Sequence, residues 1–245
     1  MVVLLVSDPQ EDKCQIGGGM TKFSFEVPLD HLEDFHEDQD FIFSLSFLFQ
    51  DPGYCNYIKL CDLDLWIDNS YNETKAPESV DYLYRLYETY QPKILIAPDT
   101  VEWNHQRMQE EYNKLRDIGG IDDKFLSIII HHPDWIGYYK SWGIHNFCVP
   151  YDFRYCTHQK LIRFSECHFL GLVSVDELRM ARPPSCDTSM PIKLAIVGLS
   201  IDDWVRMGCP HVHTSKEFFY TKLDKAQVTR GKYNIRRLKE LCQER

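Results

Sequence analysis

The chain lacks a surplus of positive charge and lacks any long apolar run. Its 245 residues include 27 Lys and Arg against 37 Asp and Glu, a formal net charge of −10 at pH 7. Proteins that grip nucleic acid mainly through its phosphates need clustered Lys and Arg. This balance therefore excludes a strong non-specific nucleic-acid binder and leaves room for a local basic surface only. No run approaches the roughly 18 apolar residues of a membrane span, so no membrane partner is predicted.

The cysteines lack the regular spacing of a disulfide framework. There are nine, an odd number, in a chain long enough to form its own hydrophobic core, which indicates reduced thiols. The apolar opening, residues 1–7, contains no basic residue and is followed by Asp8 and Glu11. It is therefore predicted to be a strand rather than a signal peptide. We expect a cytoplasmic protein, in the host cytoplasm if the chain is viral.

What the sequence does have is an alternation of short apolar runs with helical segments from residue 41 onward. Such alternation is typical of a parallel sheet with crossover helices. The apolar runs occupy residues 41–47, 63–67, 93–97, 125–130, 146–149 and 168–173, and helical patterns occupy residues 79–90, 104–118 and 135–142. So many units in one domain predict an α/β fold of the closed (β/α)₈ barrel type, with an open doubly wound sheet as the alternative. No Gly-x-Gly-x-x-Gly follows any run, so a dinucleotide site is not predicted.

A small β cap is predicted in front of the barrel. Strand-like residues 2–6 and 22–27 flank the glycines at 17–19, as in a hairpin. The predicted organisation is therefore a cap over residues 1–40 and a barrel over residues 41–245. The basic segment 222–245 is predicted to be a terminal amphipathic helix.

Aspartates stand at the ends of several predicted strands. Asp68 and Asp99 each follow an apolar run, and Asp187 occupies the same kind of position late in the chain. Catalysis in a parallel barrel occurs at the carboxyl ends of the strands, so these side chains are expected to converge. A single such Asp is often only a helix cap. The recurrence of an aspartate at the ends of several strands, all at the same mouth of the barrel, favours a catalytic site.

Convergent carboxylates without a metal motif suit glycosyl transfer. One carboxylate attacks the sugar carbon, and another handles the proton of the leaving group. The covalent intermediate allows a second base to displace the enzyme from the same sugar. The residue pattern therefore indicates exchange chemistry at a glycosidic bond.

At these residues the chain resembles the tRNA-guanine transglycosylase superfamily, and within it the DpdA-type DNA-modifying branch found in phages and bacterial islands. The resemblance covers roughly residues 41–191. It is carried by Trp66-Ile67-Asp68-Asn69-Ser70, Ile96-Ala97-Pro98-Asp99, His168-Phe169-Leu170-Gly171-Leu172 and Ser185-Cys186-Asp187-Thr188-Ser189. It implies replacement of guanine in DNA by a 7-deazaguanine base such as 7-cyano-7-deazaguanine. No cofactor is required by this chemistry, and DNA is favoured over tRNA.

The resemblance also implies residue roles. Asp187 matches the covalent nucleophile, Asp68 the general acid/base, and Asp99 the residue that reads the Watson–Crick edge of the purine. Asn69, the neighbour of Asp68 in the sequence, is predicted to bind substrate.

Three positions that frame the base depart from the family pattern. His131 stands where the family usually has a base-contacting Gln, and Pro150 and Tyr151 stand where it has a Gly-Gly pair. All three are predicted to bind substrate. The departures leave open which 7-substituent the pocket accepts.

The Cys-x-Cys-x-x-Cys zinc motif of the tRNA enzymes is absent. Zinc held by Cys209, His211 and His213 is the alternative left open. Loss of the zinc subdomain, which helps the relatives to grip tRNA, favours DNA as the polymer. Arg154 and Lys193 are candidates for phosphate contacts.

Three rival functions remain at this point. The first is exchange directed at tRNA. The second is a non-catalytic barrel subunit that binds nucleic acid or base, and the third is a nucleosidase that releases free base with water. Oligomeric state is not predicted.

Overall fold

Eight parallel strands form the sheet of this protein, whose computed structural model describes residues 20–100, 102–154, 161–210 and 214–244. The strands are β1 (Lys22–Phe25), β2 (Ile42–Leu45), β3 (Leu65–Asp68), β4 (Ile94–Ile96), β5 (Leu126–Ile129), β6 (Phe147–Pro150), β7 (His168–Leu170) and β8 (Ser185–Thr188). Their order is β1-β8-β7-β6-β5-β4-β3-β2. The predicted (β/α)₈ barrel is confirmed.

Helices connect the strands in the described ranges. The α-helices are Pro52–Leu60, Tyr71–Thr74, Val80–Tyr90, His105–Gly119, Asp134–Lys140, Val175–Ala181, Met190–Ile196, Ile201–Arg206 and Lys225–Gln243. Short 3₁₀ helices are Leu29–His31, Glu33–Asp38, Ser46–Gln50, Asp123–Phe125, Tyr151–Phe153 and Lys216–Tyr220. The last α-helix is the predicted terminal helix, and it packs along Met190–Ile196 and Val175–Ala181. No helix among the described residues is both long and apolar enough to cross a membrane.

Two of the longer helices begin where the sequence places a capping residue. The side chain of Ser79 accepts a hydrogen bond from the Tyr82 amide, and that of Asn104 accepts one from the Arg107 amide. Each cap satisfies an amide that has no partner inside the helix. These local signals explain why helix starts were predictable to within one residue.

The structure corrects the predicted cap at residues 22–25. This segment is the first barrel strand, and its residues pair in parallel with Ser185–Thr188 of β8. Phe23, Ser24 and Phe25 are all buried, as expected for a strand covered on both faces. A hairpin strand and a barrel strand share the same short apolar pattern, so the sequence alone did not separate them. Residues 2–6, the other predicted cap strand, lie outside the described residues.

The ring closes between β1 and β2, which share no strand ladder in the described structure. Individual hydrogen bonds, most of them to side chains, close the ring here. The Phe43 amide donates to Ser24 Oγ at 2.8 Å, and the Phe23 amide donates to Asp40 Oδ2 at 2.7 Å. The Asp40 amide in turn donates to the Phe23 carbonyl at 2.9 Å. The barrel is therefore complete in shape, with one seam held by individual residues.

Candidate active site

A cavity of about 660 Å³ opens at the carboxyl ends of the strands. Asp68, Asp99 and Asp187 all line it. Each comes from a different part of the rim, at the end of β3, after β4 and in β8. The structure therefore brings the three aspartates together at one mouth of the barrel, as the sequence predicted, while their chemical roles stay predictions.

Asp187 is buried and held by two donors. Its Oδ1 lies 3.0 Å from His168 Nε2, and the Gly171 amide donates to the carboxylate with both oxygens 3.3 Å away. Gly171 has φ +71°, a left-handed conformation that glycine adopts at low cost. Burial raises the pKa of Asp187 to about 7, against the lowering effects of the Gly171 amide and the Arg154 charge. The carboxylate is therefore fixed in position and changes charge near neutrality.

His168 lies under Asp187 inside the barrel, and sequence reasoning missed it as a site residue. Burial lowers the pKa of His168 to about 3, so the ring is neutral and carries one N–H. Its Nδ1 lies 2.8 Å from Ser185 Oγ. An ionised Asp187 only accepts, so Nε2 carries the hydrogen and Nδ1 accepts from the Ser185 hydroxyl. The ring stacks on Phe43 with centroids 5.1 Å apart, which fixes its orientation.

Arg154 is buried, so the predicted phosphate contact is wrong. Its Nε donates to Glu177 Oε2 at 3.0 Å, and its other nitrogens donate to the carbonyls of Val149, Leu170 and Gly171. A guanidinium has five donors in a rigid fork, which suits it to hold several strand-end carbonyls at once. An Arg with no partner nearby in the sequence is usually exposed, which is why a phosphate contact was predicted. Its actual function is to fix the loop whose Gly171 amide faces Asp187.

Replacing Arg154 with Met is expected to destabilise the fold by about 3–5 kcal/mol, because it leaves the buried Glu177 carboxylate without its charge partner. Urea denaturation measures the change. The matched control is Arg163→Met, which removes one half of an exposed ion pair with Asp134 and should cost less than about 1 kcal/mol. Equal losses in the two variants would contradict the structural assignment of Arg154.

Asp68 is buried at the end of β3. The Ser70 amide donates to its Oδ2 at 2.9 Å. Burial raises the pKa of Asp68 to about 7, and the negative charges of Asp187 and Asp99 raise it further against the Ser70 hydrogen bond. A carboxyl group in this range can hold a proton at neutral pH and also release it.

Asn69 lines the cavity, but its amide serves the backbone. Its Nδ2 donates to the Ala97 carbonyl at 2.7 Å, and its Oδ1 accepts from the Tyr71 amide at 3.0 Å. These bonds tie the loop after β3 to the end of β4. Its described contacts are therefore structural, and they hold Asp68 and Asp99 in register.

His131 contacts Asp99 and is not among the described residues that line the cavity. Its Nε2 lies 3.0 Å from Asp99 Oδ1 and 3.2 Å from Oδ2, and Phe153 stacks on its ring with centroids 4.5 Å apart. The predicted direct contact of His131 with the base therefore has no support from the cavity lining, and the side chain contacts Asp99 instead. Pro150 and Tyr151 line the cavity, and their binding of substrate stays a prediction.

Lys193 lies inside the cavity, on helix Met190–Ile196, rather than on an outer surface. Burial lowers its pKa to about 8, and the neighbouring Glu26 and Glu73 charges oppose that shift. Both glutamates line the same cavity and were missed by sequence reasoning. Glu26 directly follows β1, so recognition of β1 as a barrel strand would have exposed it as a strand-end residue.

Glu73→Gln is expected to stabilise the protein at alkaline pH. Burial raises the pKa of Glu73 to about 8, with the Glu26 charge next in effect. The folded state thus keeps a proton that the unfolded chain loses near pH 4.5, so stability falls as pH rises from about 4.5 to 8. The variant should match wild type at pH 4.5 and exceed it by on the order of 2 kcal/mol at pH 8.5, measured by urea denaturation. A pH-independent difference would contradict this linkage.

The predicted zinc ligands are only partly described. Cys209 is half-buried, whereas His211 and His213 lie outside the described residues. Among the described residues, the possible ligand atoms of His36, Cys61 and Asp62 all lie within 4.8 Å of one another. None of the three lines the cavity, and such a group does not by itself indicate an ion. Zinc stays an open prediction, as does the absence of a required cofactor.

Comparison with known proteins supports the fold. No protein-family model matches the chain, and no curated protein matches it. Among solved structures the chain is similar to thiamine phosphate pyrophosphorylase from Pyrococcus furiosus, with a TM-score of 0.50 and 7% sequence identity. The match covers 92% of this chain and 98% of that one. At this identity the likeness concerns the barrel fold alone.

Proposed function

We propose that this chain is a guanine transglycosylase that exchanges guanine in DNA for a 7-deazaguanine base through a covalent intermediate on Asp187. The observation that carries the proposal is the shared cavity of Asp68, Asp99 and Asp187 at the carboxyl mouth of the barrel. Glycosyl exchange needs a nucleophile, a proton donor and a base-binding group within reach of one sugar. These three aspartates supply that set.

In the first step, an Asp187 carboxylate oxygen bonds to C1′ of the sugar while the bond from C1′ to N9 of guanine breaks. The electron pair of that bond moves to the purine, and Asp68 supplies the proton that neutralises it. Asp99 accepts hydrogen bonds from the N1–H and amino group of the base. Free guanine then leaves, and the sugar stays on Asp187 as an ester.

In the second step, the incoming base replaces Asp187. Its N9 gives its proton to the Asp68 carboxylate and attacks C1′, and the ester bond to Asp187 breaks. Asp68 thus regains the proton that it lost, and no outside reductant, oxidant or metal enters the balance. The pKa of about 7 held by both carboxyl groups suits this exchange of one proton at neutral pH.

The surroundings of Asp187 support its assignment as nucleophile. The neutral His168 and the Gly171 amide each donate to it, so the carboxylate does not rotate away from the cavity. Preorganised donors of this kind reduce the reorganisation needed during reaction. Asp187 also lines the cavity, where C1′ of the sugar would be attacked.

DNA is favoured over tRNA because the chain lacks the zinc triplet of the tRNA enzymes. In a duplex the target guanine must leave the stack, at a cost of a few kcal/mol, before Asp187 reaches its sugar. A cavity of about 660 Å³ falls within the range that accommodates a small ligand such as a nucleoside. Tyr71, Tyr151 and Phe153 line it and offer rings for stacking.

The test is nucleoside mass spectrometry after the full chain is incubated with isotopically heavy guanine and either duplex DNA, single-stranded DNA or tRNA. Heavy deoxyguanosine is the expected product, and 7-cyano-7-deazaguanine should enter the same position. Exchange into tRNA alone would identify the tRNA-directed rival. Release of guanine without incorporation would identify a nucleosidase, and binding without either reaction a non-catalytic subunit.

A further inference from the structure

A second cavity opens at the opposite mouth of the barrel, where the strands begin. Lys22, His168 and Ser185 are the first residues of their strands and line it, and so do Phe41 and Asp64, which directly precede β2 and β3. Its volume of about 340 Å³ lies in the range of pockets that hold small molecules. The proposed exchange takes place at the other mouth, so this space has no function assigned to it.

His168 separates the two cavities. On one side its ring stacks on Phe43, which lines the first cavity, at the carboxyl ends of the strands. On the other side it contacts Trp66 and Phe41, with ring centroids 5.0 and 5.9 Å away, and both line the second cavity. Its Nε2 lies 3.0 Å from Asp187 Oδ1. A molecule in the second cavity therefore lies one side chain away from Asp187.

The lining of the second cavity is partly aromatic. Phe41 and Phe147 are buried, whereas Trp66 is half-buried, and all three line the cavity. The rings of Phe41 and Trp66 lie 5.1 Å apart at 47° to each other. Such rings attract other aromatic rings in stacked and edge-on arrangements, beyond the effect of the area they bury. A flat aromatic molecule therefore fits this lining better than a flexible aliphatic one.

The charges at this mouth leave one lysine unbalanced. Every carboxylate that the structure describes in the lining already pairs with a lysine. The pairs are Asp64 with Lys93 at 2.5 Å, Glu166 with Lys140 at 2.6 Å, and Asp40 with Lys239 at 3.0 Å. Lys22 is exposed in the same lining and has no ion-pair partner among the described residues. An anionic ligand is attracted to this ammonium group, whereas a cation meets only carboxylates that are already paired.

We propose that the second cavity binds a small aromatic carboxylate, with its ring against Trp66 and Phe41 and its carboxylate beside Lys22. A neutral aromatic molecule meets the same rings but gains nothing from Lys22. The bound ring lies beside His168, which donates to Asp187, so a ligand at one mouth of the barrel acts on the support of a carboxylate at the other. Recognition by these residues does not involve the three aspartates, and the inference does not depend on the proposed exchange reaction.

The test is calorimetric binding of two matched probes to the full chain, 2-naphthoate and its neutral amide, 2-naphthamide. Wild type should bind the carboxylate about three- to fivefold more tightly, the upper range for an exposed ion pair. Lys22→Gln should remove that preference and change binding of the amide by less than about twofold. In NMR spectra the indole N–H signal of Trp66 should shift on binding, and that of Trp142, which lines neither cavity, should not.

Lys216→Gln is the matched control, because it removes an exposed lysine from the lining of the first cavity. It should keep the preference for the carboxylate, and thermal unfolding of each variant shows that it is folded. Loss of the preference in Lys216→Gln but not in Lys22→Gln would place the ligand at the carboxyl mouth and overturn the proposal. No binding of 2-naphthoate, equal binding of the two probes by wild type, or a Trp66 signal that does not shift would overturn it too. Guanine exchange is measured separately, so its failure is distinguishable from all of these.

Discussion

The Asp187→Asn variant is expected to lose guanine exchange by at least about 10³-fold. An amide has nearly the shape of the carboxylate and keeps an oxygen for the Gly171 amide, but it does not attack C1′. The fold should therefore survive while the covalent step disappears. Exchange of isotopically labelled guanine into duplex DNA measures the loss.

Two further measurements separate loss of chemistry from loss of structure. Wild type that is denatured during turnover should retain labelled DNA on the peptide containing Asp187, and the variant should retain none. Asp152→Asn, which removes an exposed carboxylate from the same cavity, should stay within about threefold of wild type. An Asp187→Asn protein with full exchange activity would remove the basis of the mechanism.

Asp68→Asn is expected to lower exchange by about 10²- to 10⁴-fold, the usual contribution of a positioned general acid/base. The amide neither supplies a proton to departing guanine nor takes one from the incoming base. Steady-state exchange rates at saturating and limiting base concentrations measure the effect. The loss should be in kcat, since the proposed role of Asp68 is proton transfer and not base recognition.

The pH profile gives a second test of the same assignment. The proposed mechanism requires Asp187 ionised and Asp68 protonated, and burial raises both pKa values to about 7. The value of kcat/KM should therefore rise with pH as Asp187 ionises, peak near pH 7, and fall as Asp68 loses its proton. Asp68→Asn should keep the rising limb and lose the falling one. A wild-type profile that is flat from pH 5 to 9 would contradict the paired roles.

The positions of Asp68 and Asp99 could be predicted because each follows a recognisable apolar run, and Asp187 was placed by the resemblance that Ser185-Cys186-Asp187-Thr188-Ser189 carries. In a parallel barrel all strand ends of one kind face the same mouth, so order along the sequence becomes proximity in space. The start of helix Val80–Tyr90 was similarly readable from its cap at Ser79. In such cases a short segment of the sequence is enough for the prediction, because the same strand-end pattern recurs around the barrel.

Residues whose environment comes from distant parts of the chain could not be predicted in the same way. His168 begins an apolar strand and looks like an ordinary core position until Ser185 and Asp187 are placed beside it. Arg154 sits in a loop, and its burial depends on Glu177, 23 positions later. Glu26 was hidden because its strand was taken for part of a cap. Each miss reflects a partner brought in by the barrel's closure.

The barrel is expected to resist deformation less between β1 and β2 than between its other neighbouring strands, because β1 and β2 share no strand ladder in the described structure. A ladder resists sliding along its whole length, because a slip breaks all its bonds together. At the seam, the Phe23 and Phe25 amides depend on the single side chains of Asp40 and Gln39. Lys239 of the terminal helix also binds Asp40, at 3.0 Å. The last helix therefore holds the side chain that closes the ring between β1 and β2. Because Glu26 directly follows β1, a loss of the contact between Lys239 and Asp40 is expected to loosen the support of that end of the cavity.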